Sequence, residues 1–275
     1  HGDIYRDVEE IELAFRRMLR QIPKAGLLLT CADSPRAAAL REHAFSRVET
    51  YGFADDADWR GVHGGVDDAG YTLLNVHSSG AAWGEFRVPL AGRHNAQNAI
   101  AAIGVAAHHG GDPRALADAL ADFKGVRRRM EVFLESDGVT YVDDFAHHPT
   151  AVRETIAAAR ERWPRRRLRV LFEPRSNTTV TNAFQDDLFD AFRAADEVWF
   201  GPIYRAESIP VDTRLDVAAL AKRLTESGAS ARAAHSAEEI AADVHGGRRP
   251  GDLVLILSNG AFGGIYRMFR ELCAE

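Results

Sequence analysis

VTYVDDFAHHPTAVRETIAAARER, residues 139–162, carries the plan of the fold. Residues 139–143 are rich in β-branched and aromatic side chains and read as a strand, turned back from 130–135 at Asp137-Gly138, a hairpin dipeptide. A polar connection follows, and 148–162 then shows a helical period. The same unit recurs downstream. Strands are expected at 168–172, 197–200, 229–234 and 253–257, and helices at 182–194, 216–227, 237–244 and 263–272. Strands alternating with helices of this length imply a doubly wound, mostly parallel sheet. In such sheets ligands bind beyond the carboxyl ends of the strands. The segments placed there, 143–150, 173–178, 201–207 and 258–264, are unusually polar or glycine-rich for short connections.

Upstream the rhythm differs. Helices are expected at 7–22, 34–45, 95–108 and 113–122, and strands at 27–30, 48–53, 71–76 and 85–90, with turns at 61–70 and 77–84. A boundary within 124–130 therefore separates two domains, 1–125 and 126–275.

A net charge of −6 argues against a nucleic-acid partner, which requires a basic face. No window approaches the ~18 apolar residues of a membrane span. Two distant cysteines, Cys31 and Cys273, exclude a disulfide framework and fit a reducing, cytoplasmic setting. The chain opens HGDIYRDVEEIE without a methionine, and we read it as lacking an N-terminal part.

The densest chemical cluster is DDFAHHPTA, residues 143–151. Two carboxylates and two imidazoles share a strand-to-helix turn, where free N–H groups favour an anion. The plainer alternative is a helix cap by Asp144 or Thr150. A metal site is weaker, because no third ligand stands at a useful spacing. In GRHNAQNA, 92–99, Asn95 and Asn98 are three apart and share a helix face, so their amides can meet one planar edge such as adenine; an ordinary capped helix explains them equally well. GVRRRME, 125–131, places three arginines at the boundary, where one arginine can reach a phosphate and Arg127 reads as solvated. SNGAFGG, 258–264, is either an anion nest or a glycine-rich turn. No GxxxxGK[ST] phosphate loop and no GxGxxG occur, and the second absence argues against a dinucleotide oxidoreductase.

Taken in order, HGDIYRD, GRHNAQNA, GVRRRMEV, YVDDFAHHPTA, EPRSNT and SNGAFGGI resemble the Mur ligase family across essentially the whole chain. The resemblance implies an α/β fold: the later part of a central ATP-binding domain, its phosphate loop upstream, and then a Rossmann-like C-terminal domain. It implies an ATP- and Mg²⁺-dependent amide ligase acting on UDP-N-acetylmuramate in peptidoglycan synthesis or recycling. A binding-only fragment is the alternative, and this chain alone is expected to form no product. By the same resemblance His1 would hold Mg²⁺, Asn95 and Asn98 adenine, Asp144 the ribose and Arg129 the phosphates. His147, His148, Arg175 and Asn177 would face the reacting centre. Tyr204, Arg205, Glu207, Asn259 and Gly260 would meet the incoming peptide. The pairing of FAHHPTA with FEPRSNT and SNGAFGG is similar to the branch that adds the tripeptide L-alanyl-γ-D-glutamyl-meso-diaminopimelate, in preference to the branch that adds L-alanine. One departure concerns a modified lysine found in several members: here the corresponding region reads AFRRML, so Arg16 or Arg17 stands in its place.

Overall fold

The computed structural model describes residues 4–274. The chain divides at Gly125/Val126 into two compact units.

In the first unit a five-stranded sheet has the order β1 (Leu27–Cys31), β2 (Arg47–Gly52), β3 (Trp59–Val66), β4 (Thr72–Ser78), β5 (Ala81–Val88). The β1–β2 and β2–β3 pairs are parallel, and β3–β4 and β4–β5 are antiparallel. Helix α1 (Val8–Leu19) begins at Asp7, whose carboxylate accepts the Glu10 N–H. It is shorter than expected and buries only Leu19, while Val8, Leu13, Phe15 and Met18 are exposed. The short α2 (Pro35–Ala39) is capped by Ser34. Helix α3 (Arg93–His108) packs Ala96, Ala99, Ile100 and Ile103 against Trp59, Leu74, Val76, Phe86 and Val88. Helix α4 (Pro113–Ala121) completes the unit.

Strand β3 corrects the sequence reading, which placed a turn at 61–70. Its glycines serve packing and a bulge. A Cβ at Gly61 would lie 2.3 Å from Ile100 Cδ1, so glycine lets α3 approach the sheet. Gly65, at φ +83, falls where the β3–β4 register shifts. The real turn is 67–70, with Asp67 Oδ1 accepting the Ala69 and Tyr71 N–H groups.

The second unit has six strands, in the order β10 (Ser230–Ala233), β9 (Glu197–Phe200), β8 (Leu168–Phe172), β11 (Leu253–Leu257), β7 (Val139–Asp144), β6 (Glu131–Ser136). Only β6 is antiparallel to its neighbour. Helices α5 (Pro149–Arg162), α6 (Gln185–Phe192), α7 (Val217–Glu226), α8 (Ala237–Gly246) and α9 (Ile265–Leu272) form the connections and the close. Every residue of β8 and β11 is buried, as in sheets covered on both faces.

One of those buried residues is charged. Arg169 of β8 donates to Glu197 at 2.8 Å and lies 3.4 Å from Asp252, which Arg167 also engages at 2.5 Å. Burial pushes the Asp252 carboxyl up, but the Arg167 hydrogen bond, the Arg249 N–H and the two arginine charges outweigh it and hold the group below its ordinary value.

Candidate active site

The strand order puts β11 between β7 and β8, so three polar connections begin side by side at their carboxyl ends. Backbone bonds lock them together: Ser258 N donates to Asp144 O at 3.1 Å, and Glu173 N to Leu257 O at 3.0 Å. The buried Glu173 accepts the Ser258 hydroxyl, and Ser258 Oγ in turn accepts the Gly260 N–H at 2.8 Å. Arg175 lies across Gly260, where a Cβ would meet its Nε at 2.3 Å. Its guanidinium stacks 3.8 Å from the centre of the Tyr204 ring and reaches Glu173 at 3.4 Å. Arg205, held in the left-handed region at φ +52, lies 5.1 Å from the same ring. Arg175, Tyr204, Arg205 and Gly260 are thereby brought together. Glu207 and Asn177 are exposed at the edge of this group, and the Asn259 Oδ1 is buried without a hydrogen-bond partner.

The two histidines carry opposite faces. His147 Nδ1 is 3.0 Å from Phe145 O, and a carbonyl can only accept, so this nitrogen donates. In the neutral ring Nε2 then keeps its lone pair. His148 Nδ1 accepts the Thr150 N–H at 3.3 Å and so caps α5, leaving its proton on Nε2. Partial burial, followed by the charge of His147, lowers the His148 pKa. The sequence reading offered Asp144 or Thr150 as the cap; the structure gives that role to His148.

Asp144 is spent within the unit. One oxygen accepts Met130 N at 2.8 Å; the other accepts Ala146 N at 2.8 Å and the Thr155 hydroxyl at 3.3 Å. The residue is 3% exposed. Its geometry favours a structural role over the ribose contact implied by resemblance. Asp144→Ala would strand two backbone N–H groups, at about 1–3 kcal/mol each. We therefore expect a loss of about 2–6 kcal/mol in urea unfolding. Full stability together with weakened nucleotide binding would restore the ribose role.

Arg128 is the residue the sequence reading overlooked. Its guanidinium donates to Asp143 (3.1 Å), Ser258 O (2.5 Å) and Gly260 O (3.1 Å), tying the 258–260 loop to β7. Tyr266 donates to the other Asp143 oxygen at 2.7 Å. Burial, the largest influence, raises the Asp143 pKa. Arg129 is exposed, with its guanidinium 5.5 Å from the Phe145 ring centre. Nothing in three consecutive arginines shows which one turns inward. The signal is conformational: Arg128 adopts φ +58 and Met130 φ +50.

In the first unit Asn95 and Asn98 do not present one common edge. Asn95 is buried and donates to Ala91 O at 2.7 Å, whereas Asn98 is exposed. Gly92, not an asparagine, is the N-cap of α3. His1, the expected Mg²⁺ ligand, lies outside the described residues. Among the described residues no group of three or more His, Cys, Asp or Glu is disposed to hold a metal.

Two family models account for most of the chain: the Mur ligase middle domain over residues 1–106, and the Mur ligase glutamate ligase domain over 128–260. The chain belongs to the Mur ligase family. Among curated Mur ligases, a UDP-N-acetylmuramate–L-alanine ligase of Desulfitobacterium hafniense is 32% identical over 99% of this chain and 59% of its own length. One of Solidesulfovibrio magneticus is 39% identical over 77% of this chain and 46% of its own. The chain thus spans about half to three-fifths of these relatives. The solved UDP-N-acetylmuramate–alanine ligase of Thermotoga maritima matches with TM-score 0.77 at 20% identity, over 96% of this chain and 55% of its own. A murein peptide ligase of Psychrobacter arcticus matches with TM-score 0.66 at 26% identity, over 98% of this chain and 56% of its own. The α/β fold expected from the sequence is that of Mur ligase middle and C-terminal domains. The preference for the tripeptide branch is not what these curated relatives support; their names point to L-alanine.

Proposed function

We propose that the whole protein uses ATP to join the amino group of an L-alanine residue to the muramate carboxylate of UDP-N-acetylmuramate. The observation that carries this reading is the convergence of three polar loops on one strand edge, in a chain whose relatives bear that ligase name. In this reaction the carboxylate takes the γ-phosphoryl group to give an acyl phosphate and ADP. The amine then attacks the acyl carbon and phosphate departs.

The residues described above supply position and charge. Arg175 offers a permanent cation to the phosphoryl oxygens. His147 Nε2 is the lone pair suited to take the proton that the amine loses, and His148 Nε2–H is a donor. Asn98 of the first unit and Arg129 of the second are each exposed. Mg²⁺ would neutralise phosphoryl charge. Among the described residues no group of three or more His, Cys, Asp or Glu is disposed to hold it.

The amine has two forms. Free L-alanine is the reading favoured by the relatives' names. The tripeptide beginning with L-alanine is the second, favoured by FAHHPTA, FEPRSNT and SNGAFGG, the segments that build the site. A competition assay with both amines, UDP-N-acetylmuramate and ATP, read by product mass, tests the proposal. We expect one amine to be preferred by about 100-fold in kcat/KM, since a site built for one set of polar groups penalises their absence. Ligation of neither amine overturns the proposal.

A further inference from the structure

Arg128 stands between two exposed arginines, and of the three it alone turns inward. It does so through a backbone conformation that L side chains rarely adopt, with φ +58 at Arg128 and φ +50 at Met130. Three hydrogen bonds hold it there. The Arg128 N–H donates to Glu131 at 2.8 Å, Arg128 O accepts the Phe145 N–H at 2.9 Å, and the Met130 N–H donates to Asp144 at 2.8 Å. Such conformations persist where the surroundings over-determine them, and they gather at functional sites. The guanidinium that this backbone delivers spans two elements and braces a third. Its Nε donates to Asp143 of β7 at 3.1 Å, and one terminal nitrogen donates to Ser258 O at 2.5 Å and Gly260 O at 3.1 Å. Tyr266 of α9 donates to the remaining Asp143 oxygen.

Gly260 is where this clasp reaches the reacting centre. Its carbonyl is held by Arg128 and its N–H by Ser258 Oγ, which the Glu173 carboxylate fixes in turn. The bare Cα between them is the surface across which Arg175 lies. Arg175 is otherwise held by Glu173 at 3.4 Å and by the Tyr204 ring. We infer that Arg128 is a positioning residue for the ligase reaction: by pinning the Gly260 peptide it sets the place of the Arg175 guanidinium, and it touches no substrate itself. The inference rests on the proposed ligase reading and on the part that Arg175 takes in it. An arginine is required, because its planar fork meets a carboxylate and two carbonyls together, whereas a lysine ammonium is a single point of charge. Misplacing a reacting group by about 1 Å through a change elsewhere costs up to about 100-fold in rate.

Two variants of the whole protein test it side by side. Arg128→Lys keeps the charge facing Asp143 and loses the fork; Arg128→Gln keeps a planar N–H donor and loses the charge. In either, kcat should fall by at least about tenfold, and by no more than Arg175→Ala costs, while the KM values for ATP and amine move less than about threefold. Added to Arg175→Ala, either change should cost less than about twofold more, because residues that act through one group are not additive. The second readout is the Nε–H magnetic resonance of Arg175, which the Tyr204 ring shifts; in the variants it should move toward the position of a free arginine. Independent losses in the double variants, a raised amine KM with kcat kept, or an unmoved Arg175 resonance overturns the assignment. Unfolding of both variants does so too, since it makes Arg128 a stability residue. If the parent ligates neither amine, the ligase reading falls instead, and the resonance still decides whether Arg128 places Arg175.

Discussion

Arg175→Ala in the whole protein is expected to lower kcat by about 100- to 1,000-fold, the usual effect of removing one donor aimed at developing charge. The ATP KM should move little by comparison, and the folded state should hold, because the guanidinium lies at a partly open surface. Gly260→Ala should reproduce much of this loss without touching Arg175. A Cβ there falls 2.3 Å from Arg175 Nε, and the end of a flexible side chain yields before the backbone does. The substitution therefore pushes the guanidinium off its place over the Tyr204 ring. Single-turnover measurement of acyl phosphate formation separates the outcomes. A variant that forms it normally but has a raised amine KM would make Arg175 an anchor for the amine substrate.

The largest stability effect is expected at the other end of the same strands. Asp252→Ala leaves Arg169 buried with one of its two carboxylate partners gone and removes two of the hydrogen bonds of Arg167, which keeps those to Glu197 and Gly247 O. Breaking a buried pair by removing one partner costs about 3–5 kcal/mol. The pH dependence gives a second check. Because the folded-state pKa of Asp252 is depressed, its stabilisation is complete above the unfolded carboxylate value and is lost as the pH falls through the lower folded one. The gap in urea midpoint between the parent and Asp252→Ala should thus be widest near neutrality and narrow below about pH 4. A constant gap across that range would mean that the loss comes from packing.

The second unit was legible in its sequence because runs such as LRVLF and LVLIL can only be buried strands, and each is followed by a polar loop that names the ligand end. The first unit was less so. WRGVHGGV reads as a turn to anyone counting glycines, because the reason for Gly61 is Ile100, some forty residues away. The site followed the same division. EPRSNT and SNGAFGG announced themselves by composition, and the structure joins them through Glu173 and Ser258. Arg128 did not, since its partners at Asp143, Ser258 and Gly260 are set by strand order. The two asparagines of α3 share a helix face by spacing, yet one turns back to its own backbone, which spacing alone does not reveal.

Strand β11, made last, is inserted between β7 and β8, which come off the ribosome more than eighty residues earlier. Those two strands therefore wait as open edges, unable to pair with each other in the native order. The loops wait with them, because the Glu173 carboxylate and the Asp144 backbone carbonyl meet Ser258 only when it emerges. A ribosome stalled before residue 253 would hold a chain with helices and hairpins but no reactive centre. Insertion of β11 and the joining of these loops are one event.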